Sequence, residues 1–289
     1  MRKRRRTMLY CPASNPKLYN QAPVYEPDCI IFDLEDSVKL QEKDAARDLL
    51  IEAMKALEFG NIEIIVRVNG VKTPYFRDDV RAVIEAGIEH IRLPMCETAA
   101  DVQVLDKYLT ELECAHNFEI GQTKIHIGIE TPKGVINAIE IAAASSRNVV
   151  MSFGAEDYTA SLGINRTKKG DELLYARSTI INVASAFGLD AVDTVWADFK
   201  DVEGFKKEVD SVKSLGYRAK SCIHPSQIEI IHDIFKPSVE EVKKSKKILD
   251  AVSSADIEAG GVISLDGKMI DVPVITKARK IMEMYEGRS

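Results

Sequence analysis

The chain lacks most of the features by which a function is read at sight. It has no C-x-x-C pair, and its five cysteines (Cys11, Cys29, Cys96, Cys114 and Cys222) are widely scattered. An odd, dispersed set argues against a closed disulfide framework and a cysteine zinc site, and suits a reduced, cytoplasmic setting. No apolar run approaches the roughly 20 residues that a membrane helix needs. Neither G-x-G-x-x-G nor a P-loop follows any strand-like run, so the usual nucleotide fingerprints are missing. No H-E-x-x-H or H-x-x-x-H spacing supports zinc hydrolysis, and no G-x-S-x-G elbow supports a serine hydrolase. The net charge of −6 leaves no nucleic-acid footprint over the chain as a whole.

The basic run Arg2 to Arg6 is not followed by the apolar stretch of a signal peptide. It reads as a solvated arm leading into a strand, or as a contact for an anionic partner.

What is present is alternation. An apolar content of 45% over 289 residues is ample for a sizeable core. Eight strand-like runs follow one another: TMLYCP, DCIIFDLED, IEIIVRV, IEHIRLP, KIHIGIE, NVVMSFGAED, DAVDTVW and RAKSCIHP. Helical stretches separate them at Glu42–Leu57, Phe76–Ala86, Ala99–Ala115, Pro132–Ser145, Asp171–Phe187, Gly204–Leu215 and Pro225–Phe235. Only the link between the first two strands, SNPKLYNQAPVY, is unconvincing as a helix. In Phe76–Ala86 the apolar Phe76, Val80, Val83 and Ile84 fall on one helical face. Eight strands alternating with helices predict an α/β fold, a closed (β/α)₈ TIM barrel, with an open doubly wound sheet as the rival. The predicted barrel domain is 1–236. Residues 237–289 form a C-terminal extension: a charged helix Val239–Ser253, Gly260-Gly261, the stretch VISLDGKMIDVPVI and a last helix.

The chemistry is expected at the strand C-termini, where parallel α/β folds place their ligands. KIHIGIE closes on Glu130, and NVVMSFGAED closes on Glu156 and Asp157. Carboxylates converging from neighbouring strands make an oxygen-ligand site suited to Mg²⁺; the plainer reading is solvated loop acids. In DCIIFDLED, Asp33 and Glu35 share a face, with Asp36 opposite. Capping accounts for one of these acids, and the others suit electrostatic support of a cation. Arg67 needs a carboxylate partner, either a protein acid such as one from DLED or a substrate gripped by two donors. His90 and His126 read as core histidines. His224 lies at the end of the last strand, and Lys220 is a weak Schiff-base candidate.

RRTMLYCPASNP, IIFDLEDSV, IVRVNG, RLP, IETPKG, GAEDY, DELLYARS, KSCIHPSQI and GKMIDVP together resemble the citrate lyase β-subunit family in nearly the whole chain. That family sits among metal-dependent carbon–carbon lyases with citramalyl- and malyl-CoA lyases. The resemblance implies a barrel of the phosphoenolpyruvate/pyruvate superfamily, usually oligomeric (trimer or hexamer), with Mg²⁺ and no organic cofactor of its own. It implies Glu130 and Asp157 as metal ligands, Arg67 as the keto-acid arginine, and Asp33, Glu35 and Asp36 as an acidic patch beside the metal. Glu130, Glu35 and Asp36 would also face substrate. Asp271, in GKMID, would be an acid/base residue brought to a neighbouring subunit's site. Where relatives often carry Asn, this chain has His224.

The implied reaction is cleavage of a citryl thioester to oxaloacetate and an acetyl thioester. The implied partners are an α subunit and an acyl carrier protein bearing phosphopantetheine. The alternatives are a free-standing citramalyl-, malyl- or citryl-CoA lyase and a non-catalytic scaffold subunit.

Overall fold

The computed structural model describes residues 4–254 and 263–286, in which the alternation closes into a barrel of eight parallel strands in sequence order. The strands are β1 (Thr7–Pro12), β2 (Cys29–Asp33), β3 (Glu63–Arg67) and β4 (His90–Leu93), then β5 (Lys124–Ile129), β6 (Asn148–Phe153), β7 (Asp190–Asp193) and β8 (Ala219–Cys222). Closure is made by β8 on β1, with Thr7 aligned to Lys220 and Leu9 to Cys222. Strand alternation turns Met8, Cys29, Ile31, Ile65, Val150, Val192 and Ala219 into one buried cluster that fills the barrel.

Helices lie between the strands: α1 (Pro16–Gln21), α2 (Lys43–Ala56), α3 (Phe76–Glu85), α4 (Ala99–Ala115), α5 (Pro132–Ile136), α6 (Ala138–Ala143), α7 (Ala155–Leu162), α8 (Leu174–Phe187), α9 (Val202–Leu215) and α10 (Ser226–Phe235). The segment expected to be one helix over Pro132–Ser145 is two. Asn137 leaves helical geometry at φ −91° and ψ 10°, and its Nδ2 donates to the Glu97 carbonyl at 2.9 Å. The doubtful first link holds the short helix α1, capped by Asn15, and a 3₁₀ turn at Ala22–Tyr25.

Two cations of the basic run, Arg5 and Arg6, are not part of a free arm. Arg5 grips Glu63 at 2.6 Å and Asp190 at 2.7 Å, and Arg6 pairs with Asp28 at 2.8 Å. Arginine's planar fork suits such carboxylate contacts, and these two cations are tied to the N-terminal end of the barrel. Arg2 and Lys3 lie outside the described residues, as does Gly260-Gly261.

The chain forms two compact units, Arg5–Ile231 and the described residues from His232 onward with Arg4. The second holds α11 (Val239–Ser254), the antiparallel hairpin β9 (Ile263–Leu265) and β10 (Lys268–Ile270), and α12 (Val272–Tyr285). Asp266 and Gly267 turn the hairpin with φ of 50° and 71°, the positive pair that a two-residue type I′ turn demands. Ile248, Ile270, Ile275 and Ala278 form this unit's own apolar core. No helix among the described residues is long and apolar enough to cross a membrane.

Candidate active site

The register of the barrel brings the predicted acids and Arg67 together. Asp33 ends β2 and aligns with Arg67, which ends β3. Arg67 Nε and Nη2 donate to Asp33 Oδ1 and Oδ2 at 2.7 and 2.8 Å. Its Nη1 lies 2.9 Å from Glu35 Oε2 and 3.4 Å from Asp36 Oδ2. Of the two partners open to Arg67, the protein acids are the ones it meets here. Asp33 also accepts from the Glu35 and Ser37 backbone N–H groups at 2.9 and 3.1 Å, so it shapes the turn after β2. Lys43 Nζ, donating to the Leu34 and Glu35 carbonyls at 2.7 and 3.0 Å, holds that turn from below. Burial alone would raise the Asp33 carboxyl, but the Arg67 bonds outweigh it and hold Asp33 below the ordinary aspartate range. Burial pushes Glu35 up to about 9 despite Arg67, helped by the charges of Glu130, Asp36 and Asp33.

Glu130 follows β5 and is 6% exposed. Its slot exists because two neighbours are glycines. A Cβ on Gly128 would lie 2.7 Å from Glu130 Oε1, and one on Gly154 would lie 2.7 Å from Glu130 Cγ. Among the described residues no donor makes a hydrogen bond to this carboxylate, although buried polar groups ordinarily find one. Burial pushes it up to about 7; Arg67 and Arg92 pull it down, and Asp157 and Asp36 push it further up.

Asp157 reaches the same region from a different element than the sequence suggests. β6 ends at Phe153, and Glu156 and Asp157 lie in the first turn of α7. There the helix dipole favours negative charge, and Thr194 Oγ1 fixes the turn by accepting from Ala155 N–H at 3.0 Å. Asp157 is exposed at the surface of the site; reduced hydration among its neighbours and the Asp36 charge raise its carboxyl, against Arg67. A buried carboxylate without a donor, beside a second carboxylate, is an all-oxygen donor set that fits a hard divalent cation.

Two residues here escaped the sequence reading. Tyr10, in β1, lies under both arginines, with its ring centroid 5.1 Å from Arg67 Cζ and 5.7 Å from Arg92 Cζ. Arg92, in β4, aligns with Arg67. A mid-strand arginine among apolar residues was the available signal.

The other candidates have separate roles. Lys220 is fully buried, and its three N–H bonds go to Asp193, Glu208 and the Thr194 carbonyl, each at 2.6 Å. It is an ion-network lysine rather than a nucleophile. His224 is half-buried and stacks on Phe199 with centroids 4.6 Å apart. His90 Nδ1 and His126 Nε2 are 3.1 Å apart. With Glu63 they form a buried cluster of ligand-type groups within 4.8 Å of one another. Glu63 and His90 open their strands, so this cluster is at the opposite end of the barrel from Glu130. Its one anion already carries Arg5 on both oxygens, at 2.6 and 3.0 Å, which opposes a further cation. In the second unit Asp271 caps α12, its Oδ1 accepting from Val274 N–H at 3.2 Å.

A family model for HpcH/HpaI aldolase/citrate lyase matches residues 6–225. Over 281 residues the chain is 42% identical to the citrate lyase subunit beta of Haemophilus influenzae, across 97% of both chains. Among solved structures it resembles the protein CitE from Mycobacterium tuberculosis in complex with magnesium, acetoacetate and coenzyme A. The TM-score is 0.82 at 32% identity, covering 99% of this chain and 100% of that one. A citrate lyase beta subunit from the same organism, complexed with oxaloacetate and magnesium, matches with a TM-score of 0.69 at 33% identity, covering 81% and 98%.

Proposed function

The chain belongs to the HpcH/HpaI aldolase/citrate lyase family and is a carbon–carbon lyase; we propose that it uses Mg²⁺ to cleave a citryl thioester into oxaloacetate and an acetyl thioester. The observation that carries the reading is Glu130. It is a buried carboxylate with no hydrogen-bond donor among the described residues, seated between two glycines at the end of the barrel that also holds Arg67. The names of the relatives supply the substrate class.

Glu130 and Asp157 would hold the cation, and Asp33 would keep Arg67 oriented beside them. When bound, Mg²⁺ would supply Lewis-acid polarisation of the substrate's hydroxyl and carboxylate oxygens. Transfer of the alcohol proton to a water or carboxylate of the site lets the oxygen's electron pair form the keto group of oxaloacetate while the carbon–carbon bond breaks. That bond's electrons pass to the thioester enolate. Arg67 places fixed positive charge beside the developing anions. Asp271, protonated, would deliver a proton to the enolate carbon and complete the acetyl thioester. Glu35, its carboxyl raised by burial, lies 2.9 Å from Arg67 and helps to hold it.

The thioester is carried on an acyl carrier protein's phosphopantetheine, and the chain works in the cytoplasm as a homo-oligomer with an α subunit. The name of the relative, citrate lyase subunit beta, supports the multi-subunit part of this reading. Retention of Glu130, Asp157, Arg67 and Asp271 argues against a non-catalytic scaffold. A free-standing CoA lyase is the second reading, favoured by the relative that holds coenzyme A. Turnover of citryl-carrier protein and of citryl-CoA by the purified chain, with Mg²⁺ and with EDTA, tests both. Oxaloacetate release from neither thioester would overturn the function.

A further inference from the structure

Arg92 is 1% exposed, among the largest fully buried side chains of the barrel. Arg47, Arg147 and Arg177 are the other buried arginines among the described residues. Each has a carboxylate: Asp79 at 2.8 Å, Glu113 at 2.7 Å and Asp193 at 2.8 Å. Arg92 has none among the described residues. Its Nη1 donates to Tyr10 Oη at 2.9 Å and its Nη2 to Met8 Sδ at 2.9 Å. Its Nε has no partner among the described residues. A neutral hydroxyl and a thioether are weak acceptors for a guanidinium. A buried charge left in that condition is destabilising, and an apolar side chain of similar size would fill the space without the desolvation.

The position of this cation gives it a use. Arg92 aligns with Arg67 on the adjacent strand, and both guanidiniums contact the Tyr10 ring. The site therefore holds one arginine saturated by protein acids and a second, deeper one without an acid. An α-keto acid such as pyruvate has one carboxylate. Oxaloacetate, and the citryl group that yields it, has a further one.

We propose that Arg92 binds the additional carboxylate of the substrate, and so selects dicarboxylic from monocarboxylic hydroxy and keto acids. The inference rests on the functional reading above. On binding, Arg92 exchanges the Tyr10 hydroxyl and the Met8 sulfur for a carboxylate. Its two-donor edge matches that group, and the exchange converts neutral hydrogen bonds into charge-assisted ones. Tyr10 is a positioning residue, holding the guanidinium below the mouth until the ligand arrives.

The test is calorimetric binding of malate and lactate in Mg²⁺, which differ in one carboxylate and do not react. Wild-type protein should bind malate at least about tenfold more tightly than lactate, as expected for one charge-assisted contact. Arg92→Met should erase that preference and leave lactate affinity unchanged, and Arg92→Lys should restore part of it. Tyr10→Phe removes a competing acceptor with little change in volume, and should enlarge the preference even if Arg92→Met does not fold. Equal affinities in the wild type, a preference that survives Arg92→Met, or one unmoved by Tyr10→Phe overturns the assignment. Failure of the wild type to bind either acid in Mg²⁺ counts instead against the proposed function.

Discussion

Arg67 and Asp33 meet edge to edge, Nε to Oδ1 at 2.7 Å and Nη2 to Oδ2 at 2.8 Å, and Asp33 is 2% exposed. The arginine is thereby locked in one orientation before any substrate arrives. Asp33→Ala leaves a partly buried guanidinium without its main partner and should cost about 3–5 kcal/mol of stability. Arg67→Lys keeps the charge but loses the fork, and turnover should fall on the order of 10²-fold, comparable to loss of one preorganised donor. Denaturant titration and steady-state kinetics check the two. Near-normal turnover of Arg67→Lys would make the residue structural only.

Activity should vanish in excess EDTA and return on adding Mg²⁺. Glu130→Gln and Asp157→Ala should each nearly abolish it, because a hard cation depends on ligand charge as well as ligand shape. Direct titration of Mg²⁺ into each variant separates lost binding from misfolding. Full turnover in chelator would sink the metal assignment.

Gly154→Ala tests the slot without touching a ligand. The added Cβ would sit 2.7 Å from Glu130 Cγ, so the carboxylate must shift. Mg²⁺ affinity should fall about 10–100-fold, the usual effect of disturbing a ligand's support. An unchanged affinity would mean that Glu130 is free to swing and that the slot orients nothing.

Glu130 and Glu35 have folded values of about 7 and about 9, both above the glutamate value of about 4.3 in an unfolded chain. The folded state therefore holds these protons more tightly. Their contribution to stability is complete below about pH 4.3 and is lost as pH rises through about 7 for Glu130 and about 9 for Glu35. In metal-free protein the melting temperature should carry this downward slope, and Glu130→Gln should remove the portion near neutrality. Bound Mg²⁺ requires the carboxylate, so its affinity should rise across the same interval. A Glu130→Gln melting profile parallel to that of the wild type would contradict the shift.

Asp271 caps α12 through Val274, and its proposed catalytic part lies in a neighbouring subunit's site. Asp271→Ala and Glu130→Ala chains should each be inactive. Co-assembled mixtures should regain activity, because some sites then combine an intact Glu130 with an intact Asp271 from another chain. Continued inactivity after mass spectrometry has verified subunit exchange would assign each tail to its own barrel.

The sequence by itself determined the barrel. Period-two apolar runs separated by amphipathic helices leave few ways to bury both faces of eight parallel strands, and local pattern carries that information. It also placed Glu130, Arg67 and the DLED acids at strand ends, since a strand's direction orders its residues. Only the tertiary structure decided which acid answers Arg67, because the Asp33–Arg67 pair is a matter of register between strands 34 residues apart in sequence. Tertiary packing also put Asp157 on the first turn of α7, where the Thr194 hydroxyl of another strand's end caps the helix. The strand-like run NVVMSFGAED does not announce where pairing stops. The sequence also does not reveal that Arg92 meets no carboxylate among the described residues or that Arg5 meets two, since ion pairing depends on neighbours brought together by closure of the barrel. Identical side chains are recruited to opposite ends of the barrel, one neutralised and one not, and the difference lies wholly in what surrounds them.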